Sequence, residues 1–91
     1  MLTIKYTSQF KKDFKQAKKR KYDLEVLKEI ISKLINEEVL EKKYNDHSLI
    51  GKYKGFIECH LKPDWLMIYM IDKDQKCLIL TRVGSHSDLF Q

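Results

Sequence analysis

The sequence predicts an α+β domain in which two helices pack on one side of an antiparallel sheet. Three observations support this fold class: residues 2–6 alternate apolar and polar side chains, two amphipathic helical patterns follow, and three strand-like runs occupy the second half. Short turns join these last three runs, and strands joined in this way pair antiparallel. A chain of 91 residues is long enough for one domain only, so residues 1–91 are expected to share one core.

The first half predicts a short strand followed by a helical hairpin. Thr7 or Ser8 offers a hydroxyl that can cap the first helix, and Asp23 can cap the second. Apolar residues at helical spacing mark the buried faces: Phe10, Phe14 and Ala17 in the first helix, and Leu24, Leu27, Ile31, Leu34 and Ile35 in the second, with Ile30 flanking this stripe.

The second half predicts a loop and then three strands. Residues 41–48 are polar and are expected to form the loop, and the strands are predicted at residues 56–61, 65–71 and 77–83. The middle run is almost wholly apolar, as expected for a central strand covered on both faces. The residues after Gly84 form a polar tail that is expected to bury little surface.

Positive charge is concentrated at the N-terminus. Residues 1–22 hold eight Lys or Arg and a single acid, Asp13, a balance of +7 against +5 for the whole chain, so the remainder carries −2. Such a segment can attract a polyanion, because each neutralised phosphate releases counterions; it can equally be a solvated helix face. The candidate RNA-binding lysines are Lys11, Lys15 and Lys18 in this segment, and Lys52 and Lys54 between two glycines.

Cysteine usage and hydropathy predict a cytoplasmic protein with no membrane association. Cys59 and Cys77 both lie in apolar strand patterns and are expected to be buried, reduced thiols. The first five residues lack the apolar region of a signal peptide, and no apolar run approaches the roughly 20 residues that a membrane helix needs.

The three histidines all lie in the second half, each with polar neighbours. His47 precedes the first glycine, His60 lies on the polar face of a strand with Glu58, and His86 follows the last strand. Because a meander brings its strand ends together, these side chains can converge. Cleavage of RNA without a metal needs a base for the 2′-OH, a cation for the crowded phosphate and an acid for the leaving 5′-oxygen. Histidine suits these roles because its ordinary pKa is near neutrality.

Each of these residues also has a structural explanation, which the residues alone leave open. His60 can be a satisfied strand residue, His86 a solvated one and Asp64 a turn former after Pro63. Arg82 can pair with Glu58 or contact a phosphate.

Two further side chains are equally ambiguous. Phe90 can close the sheet edge or stack on a base, and Trp65 is expected in the core.

A metal site is the weaker interpretation. His47, His60, Asp64 and His86 could ligate zinc, but they lack the HxxxH or CxxC spacing that preorganises such a site. No glycine-rich phosphate loop is present either. We therefore expect neither a metal nor another cofactor.

The second half contains a series of motifs with a strong family resemblance. They are Asp46-His47-Ser48-Leu49, Gly51-Lys52-Tyr53-Lys54-Gly55-Phe56, Glu58-Cys59-His60-Leu61-Lys62-Pro63-Asp64-Trp65, and Gly84-Ser85-His86-Ser87-Asp88-Leu89-Phe90. In this order they resemble the YafQ branch of the RelE superfamily, the toxins of bacterial type II toxin–antitoxin pairs. The resemblance covers roughly residues 45–90, and the strand–helix–helix opening agrees with the family's first half.

The resemblance implies a fold, a function and a site. The fold is RelE-like, a twisted antiparallel sheet with two N-terminal helices. The function is endonucleolytic cleavage of mRNA, typically on the ribosome, held in check by a cognate antitoxin protein. By motif position the active-site residues are His47, His60, Asp64 as a candidate base, Arg82 as the group that stabilises phosphate charge, His86 as the general acid, and Phe90 as an RNA contact.

Some questions remain open at this level. The base can be His60 or Asp64, whereas Glu58 and Trp65 are expected only to support the set. Two alternatives to an enzyme also remain: a non-catalytic RNA- or ribosome-binding module on the same fold, and a protein-interaction partner whose basic surface binds an acidic peptide.

Overall fold

The computed structural model describes residues 1–90 as an α+β fold, which confirms the predicted class. The elements are β1 (Thr3–Tyr6), α1 (Ser8–Lys19), α2 (Leu24–Ile35), β2 (His47–Ser48), β3 (Ile57–Lys62), β4 (Trp65–Asp72), β5 (Cys77–Gly84) and α3 (His86–Phe90). Two single 3₁₀ turns, Lys42–Tyr44 and Gly51–Tyr53, lie on either side of β2. Among these residues no helix has the length and apolar character needed to cross a membrane.

The five strands form one sheet in the order β1-β5-β4-β3-β2. β2 to β5 make the antiparallel meander that the short turns predict. β1 pairs with β5 in parallel. Parallel neighbours need a long connection, and here the connection includes the helical hairpin. The sheet is therefore antiparallel apart from one edge strand. β2 lies within the segment predicted as a loop, where His47 pairs with Glu58.

One face of the sheet is covered by α1 and α2. The main core lies between these helices and the sheet. Thr7 caps α1 and Asp23 caps α2, as the sequence predicts. In α2 the most buried positions are Leu27, Ile30 and Leu34, whereas Ile31 is only partly buried. The stripe facing the sheet is therefore centred one residue earlier than the sequence pattern indicates. The sheet side of this core includes Cys59, Leu61, Trp65, Met67, Tyr69, Leu78 and Leu80.

The other face of the sheet carries a smaller apolar cluster. Leu66 and Ile68 of β4 pack with Leu89 of α3, and Leu49, Tyr53 and Phe56 lie against them. The C-terminal residues are thus not a loose polar tail, because Leu89 is only 5% exposed and anchors α3 on the sheet. The three histidines also lie on this second face of the sheet.

A β-bulge in β5 determines which face Arg82 occupies. Leu80 pairs with Tyr69 and Arg82 pairs with Ile68, so Thr81 is an extra residue between them. Leu80 belongs to the core under the helices, whereas Ile68 belongs to the second face. In a regular strand Leu80 and Arg82 would share a face, because they are two residues apart and side chains alternate along a strand. The bulge therefore directs Arg82 to the second face.

The burial of Cys59 gives a prediction about thiol reactivity. Cys59 is fully buried, and this burial raises the pKa of its thiol to about 12. Only the thiolate is a good nucleophile, so Cys59 should not react with a thiol-specific disulfide reagent at pH 8 while the protein is folded. The same reagent should label it promptly in concentrated urea. Labelling can be assigned to Cys59 or Cys77 by peptide mass mapping, and rapid modification of native Cys59 would contradict this description of the core.

Candidate active site

Three imidazoles form a row across the second face of the sheet. His47 comes from β2, His60 from β3, and His86 from the first position of α3. The ring centroids of His47 and His60 are 6.0 Å apart, and those of His60 and His86 are also 6.0 Å apart. The structure therefore brings together all three histidines that the sequence singles out, with His60 at the centre.

Glu58 lies between the first two histidines. Its side chain is almost fully buried, and its Oε1 accepts a hydrogen bond from Nε2 of His60 at 3.0 Å. Nε2 of His47 lies 3.5 Å from the same oxygen, and Nδ1 of His47 donates to the carbonyl oxygen of Asn45 at 2.8 Å. A buried carboxylate of this kind fixes the orientation of both rings.

Glu58 has a contact with His47 that the sequence reasoning did not predict. Strand alternation places Glu58 and His60 on one face of β3, and that signal is readable in the sequence. The pairing of Glu58 with His47 depends on β2, a strand of two residues inside a polar segment. A strand that short has no readable periodicity.

His86 is held by Asp64, which lies in the turn between β3 and β4. One carboxylate oxygen of Asp64 accepts from the backbone N–H of His86 at 2.9 Å and lies 2.5 Å from Nδ1 of the ring. Because Nδ1 serves Asp64, Nε2 is the ring nitrogen left for a substrate. The same backbone hydrogen bond, followed by that of the ring, lowers the pKa of the Asp64 carboxyl below its ordinary value.

This geometry bears on the choice of base. A carboxylate with a lowered pKa is a weaker base, and Asp64 already uses one oxygen for two hydrogen bonds to His86. Asp64 is better suited to orient His86 than to take a proton from a 2′-OH. His60, which lies between the other two rings, is the other candidate for this role.

Arg82 lies further along the same face, but it pairs with Asp13 of α1 and not with Glu58. Its Nε is 2.9 Å from Oδ2 of Asp13, and its Nη2 is 3.1 Å from Oδ1. Asp13 also accepts the backbone N–H of Val83 at 3.1 Å, and its side chain is only 9% exposed. Hydrogen bonding to Asp13 raises the pKa of Arg82, so the guanidinium stays charged. The two bonds to Asp13 come from Nε and Nη2, and the side chain of Tyr53 is a further hydrogen-bond partner of the guanidinium.

An aromatic cluster flanks the histidine row. Phe90 is 45% exposed and meets Tyr53 edge-to-face, with ring centroids 6.0 Å apart. Tyr53 contacts Phe56 in the same manner, and the ammonium group of Lys52 lies 5.5 Å from the centre of the Tyr53 ring. Phe90 therefore has an exposed surface beside His86, and Lys52 places a positive charge next to the cluster.

The helix lysines lie elsewhere on the molecule. Lys11, Lys15 and Lys18 line a groove of about 730 Å³ between α1 and α2, together with apolar residues that include Phe10 and Phe14. Because the helices cover the opposite face of the sheet, this groove and the histidine row face different directions. The structure thus places these three candidate RNA contacts apart from the other candidates.

The histidine row also contains one set of ligand atoms suited to a metal. One nitrogen each from His47 and His60 and one oxygen of Glu58 lie within 4.8 Å of one another. Two imidazoles and a carboxylate suit Zn²⁺, Cu²⁺ or Ni²⁺, so the residues fit such an ion although their spacing in the sequence does not indicate a site.

Relatives of known sequence and of known structure resemble this chain over nearly its whole length. The mRNA interferase toxin YafQ of Escherichia coli strain K12 is 41% identical over 88 residues, covering 96% of this chain and 94% of that protein. A metal-bound toxin from Helicobacter pylori is 48% identical with a TM-score of 0.93, covering 99% of this chain and 100% of the other. YafQ in the E. coli DinJ–YafQ complex is 39% identical with a TM-score of 0.91, with full coverage of both chains.

The fold and the site together define a small α+β protein with a cluster of imidazoles, carboxylates and an arginine on one face of its sheet. Residues 2–91 match the family described as bacterial toxin of type II toxin-antitoxin system, YafQ. The chain belongs to this family of toxins.

Proposed function

We propose that this protein is an endoribonuclease that cleaves mRNA by acid–base chemistry at the histidine row. The single observation that carries the proposal is the convergence of His47, His60 and His86 on one face, with each neighbouring pair of rings 6.0 Å apart. A row of this length can contact both the attacking and the leaving oxygen of one phosphodiester. The name of the E. coli relative, mRNA interferase toxin YafQ, supports the choice of substrate.

In the proposed reaction two histidines move the protons. His60, held by Glu58, takes the proton of the 2′-OH, and the 2′-oxygen attacks the adjacent phosphorus. The bond from phosphorus to the 5′-oxygen breaks, and Nε2 of His86 gives that oxygen a proton. The products are a 2′,3′-cyclic phosphate and a 5′-hydroxyl, so no water is consumed in this step.

Cationic groups stabilise the charge that develops on the phosphate. Arg82 stays ionised beside Asp13, and its Nη1 donor is oriented by the two bonds that the same guanidinium makes to that carboxylate. A preorganised donor of this type is worth about 10²–10³ in rate. His47, at the far end of the row, faces the Glu58 carboxylate and through it helps to orient the ring of His60. Phe90 offers its exposed ring to a neighbouring base.

The biological setting is part of the proposal. We infer a cytoplasmic toxin that acts on mRNA at the ribosome and is inhibited by a cognate antitoxin. The E. coli DinJ–YafQ toxin–antitoxin complex supports an antitoxin partner. An acidic, partly disordered antitoxin segment would be attracted by the same lysines that attract RNA.

The test is an RNA cleavage assay with mapping of the new ends. Purified protein should cut RNA, alone or on ribosomes, and leave 2′,3′-cyclic phosphate and 5′-hydroxyl ends. Cleavage should persist after exhaustive treatment with EDTA, since the proposed protons move between side chains and substrate. Binding of RNA or ribosomes with no new ends would support the binding-module alternative. No binding even at low salt, together with tight binding of an acidic peptide, would support the protein-interaction alternative.

The helix lysines give a separate prediction about salt dependence. Changing Lys11, Lys15 and Lys18 together to Gln should weaken RNA binding. The slope of log affinity against log salt concentration should flatten by about 0.7–0.9 for each phosphate that is no longer neutralised. Fluorescence anisotropy with a labelled RNA at several salt concentrations measures this slope. The matched control is Lys73→Gln, which removes one exposed charge in the β4–β5 hairpin. An unchanged slope in the triple variant would assign the helix lysines to a solvated or antitoxin-binding face.

A further inference from the structure

His86, the proposed proton donor, lies on a very short element. α3 has five residues, and an isolated helical turn of this length is not stable in water. Leu89 attaches the turn to the sheet by apolar contact, but this contact alone does not fix the position of a ring three residues earlier. Other contacts must hold the turn.

The first of these contacts is a reciprocal cap between Ser85 and Asp88. The carboxylate of Asp88 accepts the backbone N–H of Ser85 at 3.0 Å, and the hydroxyl of Ser85 accepts the backbone N–H of Asp88 at 3.2 Å. This is the arrangement of a capping box, with His86 at the first position of the turn. The backbone of His86 is thus fixed from both sides by Ser85 and Asp88.

The second contact links this cap to α1. Arg20, the C-terminal cap residue of α1, donates from Nη1 to Oδ2 of Asp88 at 2.7 Å, and its Nη2 lies 3.4 Å from Oδ1. α1 is itself anchored in the core by Phe10 and Ala17. Arg20 therefore joins the active-site turn to a rigid part of the molecule.

The close fit of Asp88 supports a positioning role for this link. A Cβ placed on Gly84 would lie 3.0 Å from Cβ of Asp88 and 3.1 Å from its Oδ2, so the turn packs directly on the end of β5. The hydrogen bond from Arg20 lowers the pKa of Asp88 to about 2. The carboxylate therefore keeps its charge, and its bonds, at every pH used to assay a nuclease.

We propose that Arg20 is a positioning residue for His86 and acts through the carboxylate of Asp88. The inference rests on the proposed function, because it assumes that His86 is the proton donor. The hydrogen bonds of the Arg20 guanidinium go to Asp88, and among the described residues none goes to His86. Removal of the Arg20 guanidinium leaves Asp64 as the polar anchor of the His86 ring. The α3 turn can then sample positions in which Nε2 of His86 is displaced. Small displacements of a catalytic group reduce the rate strongly, whereas they leave ground-state binding nearly unchanged.

The test is a set of kinetic comparisons on RNA cleavage. Arg20→Gln and Asp88→Asn should each lower kcat about tenfold, with KM changed less than twofold. The double variant should be no worse than Asp88→Asn alone, because Arg20 acts through that carboxylate. In a His86→Ala background, Arg20→Gln should have no further effect. Arg20→Lys should recover part of the activity, and Lys73→Gln should match the unmodified protein.

A second measurement does not depend on catalysis. The backbone N–H of Leu89 donates to the carbonyl oxygen of Ser85 at 3.1 Å, so its hydrogen exchange reports on the integrity of α3. Exchange at Leu89 should become faster in Arg20→Gln while the amides of β4 stay protected. If the unmodified protein does not cleave RNA, the proposed function fails, and this measurement still decides whether Arg20 holds the turn.

Three outcomes would overturn the inference. A raised KM and a flatter salt dependence with kcat intact would make Arg20 an RNA contact. An equal reduction of activity by Arg20→Gln in the His86→Ala background would show that it acts elsewhere. Unchanged exchange at Leu89 would show that the ion pair does not hold α3.

Discussion

Replacing His86 with Ala is expected to slow RNA cleavage about 10²–10⁴-fold, the range that general acid–base catalysis supplies. The reason is geometric: Nδ1 of His86 is engaged by Asp64, so Nε2 is the ring nitrogen left to protonate a leaving group. Without the ring, the 5′-oxygen must leave without a proton from the protein. Single-turnover cleavage with excess enzyme measures this step apart from product release.

The variant should remain folded, which makes the comparison meaningful. The His86 side chain is exposed, whereas Leu89 supplies the apolar contact of α3. The midpoint of urea unfolding should therefore shift little, and RNA affinity should change little. Asp64→Asn is the matched partner variant, since it keeps a hydrogen-bond acceptor for the ring but removes the charge. A folded His86→Ala protein that cleaves at the normal rate would remove His86 from the mechanism.

The convergence of His60 and His86 could be predicted because it follows from topology. A meander with short turns brings neighbouring strand ends together, and the motifs place His60 and His86 near such ends. Asp64 beside His86 follows from the same argument, since a turn after β3 lies at the same end of the sheet as the residues that follow β5. Local periodicity and turn length are both readable in a single sequence.

The contacts of α1 with the site could not be predicted in this way. Asp13 and Arg20 reach Arg82 and Asp88 across 69 and 68 residues, respectively. Nothing in the spacing of an amphipathic helix says which of its polar residues will meet a strand end. The bulge at Thr81 is equally hidden, because one extra residue reverses the face of Arg82 without any change in local composition. In the basic first segment, Asp13 is distinguished only as the single acid.

The C-terminal turn differs from the predicted tail for a related reason. Ser85 and Asp88 have the spacing of a capping box, but a polar segment of seven residues at the end of a chain also has the composition of a solvated tail. The deciding contact is Leu89 on Leu66 and Ile68, and it depends on β4 having an apolar second face. The wholly apolar pattern of β4 signals that both of its faces are covered, but it does not say by what.

Replacing Arg82 with Gln is expected to lower the rate of cleavage about 10²–10³-fold, since it removes a preorganised donor for phosphate charge. It should also lower stability by about 1–3 kcal/mol, because the Asp13 carboxylate, only 9% exposed, is then left without its charged partner. Activity and unfolding must therefore be measured together, at a temperature at which each variant is fully folded.

The double variant Asp13→Asn with Arg82→Gln separates these two effects. An amide at position 13 still accepts the backbone N–H of Val83 but carries no charge to be left unpaired. The double variant should regain most of the missing stability while its cleavage rate stays as low as that of Arg82→Gln. A return of activity together with stability would mean that Arg82 supports the fold only. Asp13→Asn alone keeps the charge of the Arg82 guanidinium but no longer fixes its orientation. The cleavage rate of this variant should therefore fall between those of the unmodified protein and Arg82→Gln.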